Sequence, residues 1–517
     1  MNNSVTRPAM RKETAILFVA STGCAMTVLD TNVVGIVLPT IARDLQASFA
    51  EVEWVISTYV LCFAALLLPA GSIADRYGRR RVFLFGIALF AIASLACGLA
   101  PSAPGLYLAR AVQGVGAAFL LAPALAIIGH TFHDENARGR AWAIWGGIMG
   151  LTMVVSPLIG GAISSVLGWR WAFHINLPIC VLLAIAVLTL VEESRDPTPR
   201  TLDIPGIVLF TLAMFSVTWA LIVGPSHGWM SGPVLLRIAG GLLLFAVFVW
   251  VERRRTHPML DLELFTAWPF VGAVLAMFAY ASSAQVMASL LPLFLQNGRG
   301  NGALAAGIGM LPFALAMLIF PQVGRRLSPY LDSSRILTLG LAIVALGNLT
   351  MMFAARQPGE LLLIVGMAIL GTGGGLLNGE TQKAIMGTVP RHRAGMASGI
   401  STTSRFSGIL LGFAGLGAVL ASGVRSALEQ AMAAERLPIA PGFVDSIAAG
   451  DLERAVGAYP PDLAATITSL AQHGYSAGFS HAFLTAAIIA LASAVVVFVT
   501  MRRREIGTDC QVGLQRR

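Results

Sequence analysis

The strongest constraint on this chain is a succession of fourteen apolar runs, each long enough to cross about 30 Å of hydrocarbon as a helix. They fall near 15–39, 53–74, 82–100, 105–130, 140–163, 171–191, 204–224, 233–251, 268–295, 303–325, 335–355, 360–386, 396–421 and 481–501. In lipid every backbone amide and carbonyl must find a partner inside the protein, and runs of this length do so as helices. The expected fold class is therefore an all-α integral membrane protein with 14 transmembrane helices. Composition agrees: only 12% of the 517 residues are charged, about half the share of a soluble domain.

The net charge of +9 invites a nucleic-acid partner, but that needs basic residues gathered on one polar face. Here they sit in short groups between oily runs. Alternate connections, from Arg7/Arg11/Lys12 through Arg76/Arg79/Arg80/Arg81 to Arg502/Arg503/Arg504, hold 24 of the 35 basic residues. By the positive-inside rule those connections and both termini are cytoplasmic, and no nucleic acid is expected. The longest connection, about 422–480, is then external. The first run is too long for a cleaved signal and lacks a small-x-small site, so it is expected to remain as an anchor. The five cysteines show neither disulfide nor zinc spacing. "HTFHDE" at 130–135 is a short cytoplasmic turn and not a convincing metal site, so no metal is expected.

A weak repeat runs through the chain. "VLP" at 37–39 and "LLP" at 290–292 end the first and ninth spans, 253 residues apart. "LPAG" at 68–71 and "FPQV" at 320–323 follow in nearly the same register, each before an arginine-rich turn. Two parallel six-helix halves around an extra pair of helices would produce this pattern, with a central site at their interface. The organisation expected is a cytoplasmic segment 1–14, a six-helix bundle 15–191, a linker with two extra helices 192–265, a second bundle 266–501 and a tail 502–517.

Charge inside such runs is expensive, about 2.5–3.5 kcal/mol on insertion scales, and faces a bundle interior or a wet cavity. Asp30 is the only charged side chain between Ala15 and Leu38 and lies roughly 14 Å below the external end at Pro39. Its repeat counterpart is Ser283, so the acid is not part of a packing device common to both halves. Arg110 sits roughly 8 Å below the external end of the fourth span, in reach of Asp30, with Gln113 at i+3 on the same face. A carboxylate held between burial and an opposite charge can load and unload a proton as water access changes; the competing reading is a static buried ion pair. Glu380, about 15 Å from the inner end of its span at Pro390, has Lys383 at i+3, and Arg405 lies about as deep on the next span. These three form either a structural network or a second coupling acid with its partners.

Two stretches have a fixed frame. "GSIADRYGRRR", 71–81, is a cytoplasmic turn in which Gly71 and Gly78 permit packing and reversal, with Asp75, Arg76, Arg79 and Arg80 around them. "GGIMGLTMVVSPLIGGA", 146–162, spaces small residues four apart, Gly146 with Gly150 and Ser156 with Gly160, which lets helices approach closely. Pro157 kinks the outer half of that span.

Taken in order, these motifs resemble those of the major facilitator superfamily, and specifically its fourteen-span drug:proton antiporter branch (the EmrB/QacA type). Leu29-Asp30-Thr31 through Leu38-Pro39 is similar to that branch's first-helix motif, and Gly71 to Arg80 fits the inner-loop motif G-x-x-x-D-R-x-G-R-R. Leu108 to Gly116 fits the fourth-helix motif, whose arginine the family implicates in proton transfer. Ser156-Pro157 through Gly160-Gly161 fits the antiporter motif, with serine where the family has glycine. "WRWAFHINLP", 169–178, and "AGMASGISTTSRFSGILLG", 394–412, look like further signatures of the branch.

The resemblance implies a major facilitator fold with two parallel six-helix bundles and two extra central helices. It implies a multidrug exporter in the bacterial inner membrane, driven by a proton gradient with no cofactor. The transported species are protons and an amphipathic, cationic small molecule, for which Gln113 and Asn32 are weak binding candidates. A periplasmic adaptor protein is a further partner class open to such an exporter. No enzyme is expected: "GTGGG", 371–375, lacks the Gly-Lys-Ser/Thr of a phosphate loop, and there is no ATP-binding cassette. A proton-coupled exporter or symporter of one metabolite shares the same motifs. A non-transporting membrane sensor or scaffold is the rival of another class.

Overall fold

Among the described residues, fourteen helices are long and apolar enough to cross a membrane. The structure is a computed structural model, and it describes residues 6–132, 135–195, 203–255, 258, 262–357, 359–389, 394–438, 443–449, 452–457 and 459–514. In chain order the helices are α1 Thr6–Asp44, α2 Phe49–Tyr77, α3 Arg79–Gly98, α4 Ala103–Thr131, α5 Glu135–Val166, α6 Trp171–Leu190 and α7 Ile204–His227. They continue with α8 Gly232–Glu252, α9 Trp268–Gly298, α10 Ala303–Leu327, α11 Ser333–Arg356, α12 Glu360–Gly387, α13 Ala394–Ala434 and α14 Ala464–Leu514.

Local chemistry sets the ends. Ser48 and Glu51 form a reciprocal capping box that starts α2. Ser102 accepts from the Gly105 amide, with proline in the first turn, to start α4. Three helices are irregular inside, the first being α6, which is interrupted at Ile175. α9 contains two π-helical turns, Ala281–Gln285 and Phe294–Gly298, and α10 breaks at Met310, two residues before Pro312.

The chain divides into two units. The first comprises Met1–Thr211 with Gly302–Ile308; within it α2 and α3 pack along α4, α1 lies against α5 and α4, and α6 lies on α3. The second comprises Leu212–Asn301 with Gly309–Arg517; within it α11 packs on α12 and α14, α10 on α12, and α9 on α13 and α14. Exposure grades the helices. Only 17% of the α8 window is buried against 78% for α9, so α8 offers Leu235, Leu236, Leu242 and Leu243 outward as a lipid-facing helix does. Arg237 over Trp219 and Arg254 over Trp250, 4.4 and 4.1 Å from the ring centroids, place cation–aromatic pairs near helix ends, where membrane interfaces favour them.

One expectation needs correction. The external loop expected at about 422–480 is mostly helix: α13 continues to Ala434 and α14 starts at Ala464, with short helices Phe443–Ala449 and Leu452–Gly457 between. The flanking residues are rich in alanine, leucine and glutamine, which are good helix formers, while proline occurs only between 438 and 461. Polarity ended the apolar run there; it did not end the helix. Phe443 packs edge-on against Tyr459 at 5.2 Å.

Candidate functional site

Five helices of the first unit converge on Asp30. Its carboxylate and the Arg110 guanidinium are 0% and 1% exposed, so the ion pair is sealed from solvent. Oδ2 accepts from Arg110 Nη1 at 2.5 Å. Oδ1 accepts from Gln113 Nε2 at 2.9 Å and from Asn176 Nδ2 at 3.1 Å. Arg110 is held on every side: Nη1 also donates to Gln113 Oε1 at 2.7 Å, and Nε donates to the Val55 carbonyl of α2 at 3.2 Å. Its guanidinium carbon lies 4.0 Å from the Tyr59 ring centroid and 5.9 Å from that of Phe173. Ser94 of α3 completes the ring, accepting from Gln113 at 2.9 Å and from Asn176 at 3.4 Å.

The sequence places these groups by helical spacing. Arg110 and Gln113 are i, i+3 on α4 and therefore share a face. The approach of α2 depends on Gly114, because a Cβ there would lie 2.3 Å from the Tyr59 carbonyl oxygen. Gly114→Ala is expected to push α2 away from α4, costing about 1–3 kcal/mol as overpacking does and moving Val55 and Tyr59 off Arg110. A lower melting temperature together with reduced coupled transport checks this; an unchanged melting temperature contradicts it.

The turn between α2 and α3 is the second ordered feature. Gly78 joins α2 to α3 at φ +115°, a conformation open to glycine and strained for L side chains. Asp75 pairs with Arg79, 2.8 Å from Nη2. The carboxylate of Glu193, at the end of the sixth span, accepts from the Arg80 and Arg81 amides at 3.1 and 3.3 Å. An anion at the start of α3 meets free amides and the positive end of the helix dipole. Arg80 also donates to the Leu188 carbonyl at 2.6 Å, and Arg76 is exposed beside the Tyr77 ring. Gly71 has ordinary room, its virtual Cβ 3.8 Å from Ala122, so reversal rests on Gly78 alone.

On α5, Gly160 brings the helix against α1, where a Cβ would come 3.2 Å from the Val33 Cα. A Cβ on Gly161 would fall 2.8 Å from the Ala303 carbonyl, and one on Gly307 2.6 Å from that of Pro157. Ser156 is buried and donates back to the Thr152 carbonyl at 2.5 Å. Gly150 is half-buried, and a Cβ on Gly146 would meet nothing, so close approach is confined to the C-terminal part of the motif.

The profile of the Major Facilitator Superfamily matches residues 20–413, more than three quarters of the chain. The chain belongs to the major facilitator superfamily. Relatives within this superfamily include the multidrug resistance protein Stp of Mycobacterium tuberculosis, 35% identical over 81% of this chain and 78% of its own length. The multidrug efflux pump LfrA of Mycolicibacterium smegmatis is 32% identical over 97% of this chain and 98% of its own. The tetracenomycin C resistance and export protein of Streptomyces glaucescens is 30% identical over 94% and 91%. Among solved structures, a bacterial homologue of the human lysosomal transporter Spinster, in an inward-facing occupied conformation, superposes with a TM-score of 0.64 at 17% identity. It covers 95% of this chain and 96% of its own, and supports the fold alone.

Within this major facilitator chain the remaining candidates separate. Glu380 is 7% exposed and fully engaged, with Lys383 Nζ at 3.0 Å and the Ser333 hydroxyl at 2.6 Å. Lys383 also bonds to Ser328. Arg405 does not join them: it donates to Gln285 at 3.1 Å, in the first π turn of α9, and among the described residues no ion pair links it to Glu380. The expected three-residue network is thus a pair plus a separate arginine, because equal depth on adjacent helices does not fix azimuth. Asn32 is half-buried and spends its amide on the Val28 carbonyl of its own helix, 2.8 Å away. Gln113 is buried inside the cage, where both ends of its amide are already engaged. Asn176 and Ser94 were not singled out from sequence; the one available signal was Asn176 inside "WRWAFHINLP". His133 and Asp134 lie outside the described residues, and among those described no cluster suited to a metal occurs.

Proposed function

We propose that this protein is a proton-coupled drug exporter of a bacterial cytoplasmic membrane, both termini inside, with Asp30 as the proton-binding group. The observation that carries this reading is the solvent-free Asp30–Arg110 pair, ringed by Gln113, Asn176 and Ser94. The names of relatives that this chain matches over most of its length, with their efflux and resistance roles, support the export half of the proposal.

A proton arriving from outside removes the negative half of the pair. Arg110 is left with Gln113 Oε1, the Val55 carbonyl and the Tyr59 ring. Breaking a buried pair from one side costs about 3–5 kcal/mol, and about 5.5 kcal/mol swings a two-state equilibrium from 1:99 to 99:1. One proton therefore supplies most of a conformational switch. Asn176 Oδ1 is buried and has no hydrogen-bond partner among the described residues; turning its amide would offer an acceptor to the neutral acid. Rearrangement of α1 against α4 then accompanies outward release of drug, and proton loss to the cytoplasm resets the cage. Energy comes from the proton gradient, without a cofactor. An amphipathic cation is the substrate class that fits, with aromatic and methionine side chains as contacts.

The test is drug-induced proton release in proteoliposomes. Addition of an exported compound should release protons from the wild type, with Asp30→Asn as control. A compound panel then separates a multidrug exporter from one committed to a single metabolite. No drug-induced proton movement with any compound overturns the reading.

A further inference from the structure

Two acids stand near the start of α2, and they are used differently. Glu51 closes the capping box with Ser48. Glu53, two residues on, is 7% exposed, and its Oε2 is buried with no hydrogen-bond partner among the described residues. One turn further in, Ser57 is 1% exposed and its Oγ is equally unsatisfied. Buried polar groups are almost always satisfied, and a buried carboxylate is costly to keep without a partner. Two such groups one turn apart point to a ligand that supplies what the protein does not.

Their direction is set by the helix. At 100° per residue Glu53 and Ser57 share one face of α2, and Thr58 and Tyr59 straddle the opposite one. Thr58 donates to the Tyr107 carbonyl of α4 at 2.8 Å, and Tyr59 lies against Arg110. The Glu53–Ser57 face is therefore turned away from α4 and from the proton cage. Six residues separate Glu53 from Tyr59, which puts the acid about 9 Å outward of the cage along the helix.

We propose that Glu53, with Ser57 beside it, receives the positive charge of a cationic substrate on the face of α2 opposite the cage. The proposal rests on the export reading and adds to it the group that recognises the substrate's charge. It separates the two ligands: the proton exchanges at Asp30 and the cation binds at Glu53, joined by one helix that contacts both. Arg110 keeps its hold on Val55 and Tyr59 when Asp30 is neutralised, so its movement away from Asp30 carries α2 and the substrate group with it, which is the differential coupling that exchange of two ligands requires.

The experiment compares Glu53→Gln and Glu53→Asp with the wild type in proteoliposomes, using tetraphenylphosphonium as a permanent monocation and chloramphenicol as a neutral probe. Expected is a rise in the KM for tetraphenylphosphonium in Glu53→Gln at least tenfold greater than any rise for chloramphenicol, with recovery in Glu53→Asp, which keeps the charge. Equal rises for both probes, no rise for either, or no recovery in Glu53→Asp overturns the proposal. So does a wild type that exports chloramphenicol but not tetraphenylphosphonium. A wild type that moves neither probe nor any other compound fails the export reading itself, which keeps the two failures apart. Protein recovered from membranes and its melting temperature confirm that the variants are folded.

Discussion

Asp30→Asn is expected to abolish proton-driven export, to background in a coupled assay, while the protein still inserts and still binds drug. The amide has nearly the shape of the carboxylate, so Gln113, Asn176 and Ser94 keep a polar neighbour. What it cannot do is change charge, and the step proposed for the cage is a change of charge. The variant resembles the protonated state permanently, so a proton gradient has nothing to act on. Loss of the anion also leaves Arg110 buried beside a neutral group, and a stability cost of about 3–5 kcal/mol is expected. Export must therefore be normalised to protein in the membrane and paired with drug binding to purified protein. Binding near wild type with no drug-induced proton release is the expected result. Wild-type resistance in cells carrying the variant would sink the mechanism and favour a sensor or scaffold.

Much of this was legible before any coordinates. Fourteen runs became fourteen helices, because chain length against hydrocarbon thickness leaves few alternatives. Asp30 and Arg110 met because two charges at similar depth in a medium that penalises each of them are best placed together. What the sequence hid was azimuth and the far ends of contacts. Depth alone grouped Arg405 with Glu380, yet Arg405 turns to Gln285 in a π-helical turn of α9. Ser283, the repeat counterpart of Asp30, lies in that same turn, its hydroxyl on the Ala279 carbonyl, so the weak repeat aligns letters across different local geometry. Ser94 and Asn176 are ordinary small polar residues until α1 brings the Asp30 carboxylate and α4 brings Gln113 to them. Glu193 looked like the polar end of a span, and only the chain reversal at Gly78 shows that it caps α3.

The neutral pair Asp30→Asn/Arg110→Gln distinguishes a structural ion pair from a coupling one. Arg110→Gln alone leaves Asp30 buried with Gln113 and Asn176 as its only donors from the cage, and should lose about 3–5 kcal/mol together with all coupled export. Asp30→Asn alone should lose a comparable amount. Residues in direct contact do not behave additively, and removing both charges removes the uncompensated ion that each single variant leaves behind. The double variant is therefore expected to be more stable than either single one, near wild type in melting temperature. If the pair served only to hold α1 to α4, restored stability would restore export. If the pair is the proton site, export stays at background whatever the melting temperature does, because no carboxylate remains in the cage. A stable double variant that still exports drug against a gradient would move the proton site elsewhere; a stable double variant without export assigns it to Asp30.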